Sequence, residues 1–100
     1  MPTLTIDLQD GFQDEPIRIE LNGRKVVEEA GINTRFQIGF AASHKVDVEY
    51  GIQRISIALP KRQIVEPLEL NVSGPLYLGV SLNPAGALIC RIQEEPFGYL

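Results

Sequence analysis

Along His44–Leu59 the chain reads HKVDVEYGIQRISIAL, and apolar and polar residues alternate at period two on both sides of Tyr50-Gly51. Alternation of this kind demands extended backbone with one buried face, because successive strand side chains point to opposite sides of a sheet. Taken as a hairpin, the segment has Gly51-Ile52 as its two-residue turn, with Gly51 where a type II′ turn needs positive φ. The register then sets Val48 opposite Ile55 and Val46 opposite Ile57 on one face, with His44 opposite Leu59. On the other face it sets Glu49 opposite Arg54. A slip of one residue would reverse every side chain, so turn, stripe and charge pair agree on a hairpin around which the rest is arranged.

The same signature recurs along the chain. Leu4, Ile6 and Leu8 alternate with Thr3, Thr5 and Asp7, which predicts a first strand. Asp10–Glu15 reads as an acidic loop closed by Pro16, a residue suited to the first position of a strand. Asn22-Gly23 is a strong type I′ turn signal, and its register puts Ile19 opposite Val26 and Glu20 opposite Lys25. Ala30–Asn33 is expected to break the chain. Phe36, Ile38 and Phe40 then predict a strand carrying two aromatics inward, with Gly39 on the opposite face. After a solvent-facing Pro60–Gln63 loop, Leu68, Leu70 and Val72 form one stripe, and Leu76, Leu78, Val80 and Leu82 another. Pro84-Ala85-Gly86 suits a turn with Gly86 left-handed, returning Leu88, Cys90 and Ile92 opposite Leu82, Val80 and Leu78. Eight or nine short strands with regular turn signals and no helical stripe predict an all-β, antiparallel β-sandwich, with a small β-barrel as the alternative.

One hundred residues with 44% hydrophobic content make a single domain, residues 1–100, ending in an apolar tail over 94–100. The net charge is −4 and the basic residues are scattered, with only Arg24-Lys25 and Lys61-Arg62 adjacent. Nucleic-acid binding draws its affinity from clustered Lys and Arg on phosphates, so it is not expected. No apolar run approaches the ~20 residues of a membrane-spanning helix, and the first residues do not read as a leader. The expectation is therefore a soluble cytoplasmic protein with no membrane partner.

The residues for catalysis are few. Cys90 is the only cysteine and reads as a small buried hydrophobe. His44 is the only histidine and reads as a part-buried strand residue. Ser43 precedes it, and neighbours on a strand face opposite ways, so a triad is not expected. No spacing of His and Cys suggests a metal site, and no Gly-rich loop precedes a helix to hold a phosphate, so no cofactor is expected. Asp7, Asp10, Asp14 and Glu15 offer oxygen ligands near Gly11, but the dense alternating pattern of a calcium loop is missing.

Outward aromatics are more informative. Tyr77 points away from the Leu76-Leu78-Val80 stripe, and Glu94–Leu100 carries Phe97, Tyr99 and Leu100 in seven residues. Such a tail either folds back over its own sandwich or docks on another chain by strand addition or as an anchor. The expected function is a non-enzymatic protein-interaction or assembly module, self-associating as a homo-oligomer, with Tyr77, Phe97 and Tyr99 as its binding residues. The alternative is a small-ligand or carbohydrate-binding module, with weak Ca²⁺ binding at the Asp7–Glu15 loop.

Overall fold

Strand β1 (Thr3–Leu8) is the central element of one sheet: Leu4, Ile6 and Leu8 bury their side chains in the interior. The structure is a computed structural model and describes residues 1–35 and 37–99. Antiparallel to β1 runs β4 (Ala42–Asp47), and parallel to it runs β7 (Leu76–Leu82), which pairs in turn with β8 (Leu88–Gln93). This gives sheet I the order β4-β1-β7-β8. Sheet II has the order β3-β2-β5-β6, all antiparallel, from β2 (Glu15–Leu21), β3 (Arg24–Ile32), β5 (Gly51–Leu59) and β6 (Ile64–Val72). The inner faces of the two sheets share one core of leucine, isoleucine and valine. It is a sandwich of two four-stranded sheets with no α-helix among the described residues.

The expected His44–Leu59 hairpin does not form. β4 belongs to sheet I and β5 to sheet II, so Val46 pairs with Leu4 and Ile57 with Ile19. Arg54 faces Glu69 on β6, at 3.6 Å, rather than Glu49. His44 sits opposite Ile6 rather than Leu59. Gly51 does take positive φ (+94°), but Val48–Gly51 carries the chain across the sandwich instead of doubling it back. Alternation shows that each arm has one buried face; it is the same whether the arms pair with each other or join different sheets.

Elsewhere the local turn chemistry prevails. Asn22 and Gly23 both take positive φ, and β2 pairs with β3 across them. Glu20 faces Lys25 as the turn requires, but a bulge between Ile19 and Glu20 sets Ile19 opposite Val27 instead of Val26. β3 continues through Ala30 and Gly31, where a break was expected. The β7–β8 hairpin has the expected register, Leu82 with Leu88, Val80 with Cys90 and Leu78 with Ile92. The expected strand near Phe40 is instead a tight turn. The Ile38 and Gly39 N–H groups donate to the Arg35 carbonyl, and Arg35 bridges to Phe40; Phe36 lies outside the described residues.

The aromatic that fills the core comes from the segment read as an acidic loop: Phe12 is fully buried. Thr34 holds it there, accepting from the Phe12 N–H and donating to the Gln9 carbonyl. At the start of β2, Glu15 is only 1% exposed, and Arg62 donates to its Oε1 at 3.0 Å. Arg62 belongs to a 3-10 turn, Pro60–Arg62, so the expected loop there is a short helix tied to sheet II. A buried carboxylate without its cation would be strongly destabilising, which makes Arg62 a structural residue.

Candidate functional site

The outer face of sheet I brings the sequence candidates together. Its odd-numbered positions present Thr5, Asp7 and Gln9 from β1 and its extension, and Tyr77, Gly79 and Ser81 from β7. The C-terminal tail crosses this face. An added Cβ on Gly79 would lie 2.9 Å from the Phe97 ring, so the missing side chain makes room for Phe97. The Arg91 guanidinium lies 5.5 Å from the centre of the same ring, within cation–π range. Tyr99 meets Phe40 edge to face at 4.8 Å.

A directed hydrogen-bond network fastens the tail. Tyr99 O–H donates to Asp7 Oδ2 at 2.8 Å and accepts from Gln9 Nε2 at 3.0 Å. Ser43 donates to Asp7 Oδ1 at 2.7 Å, and Ser81 donates to Gln9 Oε1 at 3.3 Å. The network ends on Asp7, a carboxylate that only accepts when ionised. Burial, opposed by the Gln9 hydrogen bond and reinforced by Asp7, pushes the Tyr99 phenol up to about 12. Phe97 and Tyr99 thus pack on their own chain, Tyr99 still 37% exposed, and Tyr77 is part-buried between Thr5 and Gln93.

The residues considered for catalysis are kept apart. Ser43 turns to Asp7 on the outer face, while His44 turns inward, its Nε2 3.8 Å from Glu29 and without a hydrogen-bond partner among the described residues. β4 and β8 are opposite edges of sheet I, so His44 and Cys90 are separated by about 14 Å, three strand spacings. Burial, and secondarily the Glu66 carboxylate, raise the Cys90 thiol to about 11, far from a reactive thiolate. The acids of the first loop also diverge: Asp7 holds the tail, Glu15 holds Arg62, and Asp10 abuts Gly39. Among the described residues no three His, Cys, Asp or Glu side chains gather as a metal site would need.

Beside the tail an open groove of about 800 Å³ runs along Gln9, Asp10, Arg62, Asn83 and Arg91. Arg62 and Gln9 drew no attention in the sequence. Gln9 could have been found, since it continues the Thr5-Asp7 stripe by one step; Arg62 could not, since its partner Glu15 is remote in the chain.

The sandwich also has two lateral seams. Along one, β3 packs beside β4, with Glu29 near His44. Along the other, the inner rows of β6 and β8 are partly open: Ile64, Leu68, Leu88 and Cys90 are half-buried, and Glu66 and Ile92 are exposed. No helix among the described residues is long and apolar enough to cross a membrane. No protein-family model matches the sequence, and no curated protein matches it.

Proposed function

We propose that this chain is a non-enzymatic interaction module that accepts an extended strand along the free edge of β8. The neighbouring outer face, with Tyr77, Phe97 and Tyr99, flanks the incoming segment. The reading rests on one comparison. A free edge invites pairing unless proline, charge or a bulge blunts it. β3 is bulged opposite β2 and bears Lys25, Glu28 and Glu29; β4 bears Lys45 and Asp47. β6 bears Glu66, Pro67 and Glu69. β8 reads Leu-Ile-Cys-Arg-Ile-Gln, with one charge and no proline, and its Ile89 and Ile92 are 44% and 46% exposed.

Selection of displayed random peptides on the folded chain tests this reading. The expected binders are extended, apolar-alternating peptides that shift the amide resonances of Leu88, Cys90 and Ile92. A selection yielding no binder, or binders that leave β8 unperturbed, would contradict it.

A small-ligand reading draws on the groove between Arg62 and Arg91, whose guanidinium groups suit a carboxylate-bearing ligand or an acidic sugar. A thermal-shift series with such compounds would separate it from strand addition.

A further inference from the structure

Hydrogen bonds fix which backbone groups of β8 are free. Val80 C=O accepts from the Gln9 N–H and Leu82 N–H donates to the Asp10 carbonyl, so even-numbered residues of β7 turn their polar groups to β1. Its odd residues Tyr77, Gly79 and Ser81 therefore bond β8, where they oppose Gln93, Arg91 and Ile89. The N–H and C=O groups of Leu88, Cys90 and Ile92 are what the edge offers. On β6 the same reasoning gives a different result. Asn22 and Arg54 bond across β2 and β5, so Arg54 faces β2 and its neighbours Ile55 and Ile57 face β6. Val65, Pro67 and Glu69 are then the outward residues of β6, and the edge lacks a donor at Pro67, near its middle.

We infer that the strand accepted by β8 is β8 of a second copy, antiparallel, with the two-fold axis through Cys90. This deepens the strand-addition reading by naming the occupant. Three self-pairings of the strand are open, with the axis at Ile89, Cys90 or Arg91. An axis at Arg91 sets two guanidinium groups directly opposite, which is destabilising. An axis at Ile89 leaves the polar groups of Ile92 without a partner on the facing strand. With the axis at Cys90, Leu88 opposes Ile92 of the second copy, and Cys90 opposes its own counterpart. Every free N–H and C=O of the three residues is then satisfied. The inner row becomes one apolar line, and on the outer row each Arg91 lies opposite an Ile89. The contact is isologous, as a closed dimer requires, and sheet I becomes one continuous sheet across both copies.

Sedimentation equilibrium up to millimolar concentration, with Cys90→Pro and Ile92→Lys beside the wild type, tests the inference. On the hydrogen-bond ladder, proline at position 90 removes an N–H that the fold does not use, although it also fixes φ and replaces a side chain packed on the core; position 92 is already open to solvent. The wild type is expected at twice the chain mass of 11.1 kDa, with at least a tenfold weaker dimer in each variant that retains the wild-type circular dichroism. In a mixed labelled and unlabelled sample, an intermolecular Hα–Hα contact between Ile89 and Arg91 fixes the axis at Cys90. A wild type that stays monomeric throughout overturns the inference, as does a dimer that both folded variants preserve or one whose contacts match another register. Should Cys90→Pro not fold, Ile92→Lys decides. Peptides that bind β8 while the wild type stays monomeric would overturn the second copy as occupant and leave the strand-addition reading standing.

Discussion

On the outer face of sheet I, Asp7 and Gln9 are each 7% exposed beneath a tail that meets them with a tyrosine hydroxyl. On the outer face of sheet II, the Arg54 and Glu69 side chains that face each other across β5 and β6 are 81% and 64% exposed. The two faces hold similar polar residue types, but their energetics differ. Where water is excluded, each polar group needs its partner, and losing one leaves a desolvation penalty. Where water is present, ion pairs are screened and carry little stability.

Ending the chain at Gln93 is the strongest way to break this contrast, because it uncovers the sheet I face at once. It should lower unfolding stability by about 2–3 kcal/mol, from the lost Phe97 and Tyr99 packing and the lost hydrogen bonds, as measured by urea titration. Tyr99→Phe keeps the ring but removes the hydroxyl, and should cost about 1 kcal/mol because the buried Asp7 and Gln9 each lose a part-buried hydrogen bond. Arg54→Ala, by contrast, should change stability by less than about 0.5 kcal/mol. An Arg54→Ala loss as large as that of Tyr99→Phe would erase the distinction between the faces.

pH sharpens the same contrast. The docked Tyr99 phenol is raised from its ordinary value of 10 to about 12, first by burial and then by Asp7. A raised acid holds its proton more tightly when docked, so the tail's contribution is complete below pH 10 and is lost as pH rises through 12. The difference absorbance at 295 nm between the wild type and Tyr99→Phe should show one tyrosinate forming near the upper value. Asp7→Asn should move that transition down.

What could be read from the sequence depended on how local the determining signal was. The β7–β8 register was legible to the residue because Pro84-Ala85-Gly86 sets it within a few positions, and Gly86 takes the expected positive φ. The Asn22-Gly23 hairpin was legible except for one bulge, which no residue type announces. His44–Leu59 misled because period two specifies a buried face but not a strand partner, and the left-handed glycine at its centre serves a crossing as well as a hairpin. Tyr77 was correctly placed outward by alternation alone. The tail's attachment was not legible, since Tyr99 meets Asp7 across nearly the whole chain. Pro67 was a readable sign of an edge strand, and it now shows by comparison how β8 lacks the same protection.

Amide hydrogen exchange along β8, followed by NMR over a dilution series, tests the open edge most directly. The amides of Ile89, Arg91 and Gln93 should be slow at every concentration. Those of Leu88, Cys90 and Ile92 should exchange fast in dilute protein and slow as the chain is concentrated. Protection of Leu88, Cys90 and Ile92 that persists at a dilution where sedimentation shows a monomer would mean the edge is already closed within one chain, and would contradict both the topology and the function drawn from it.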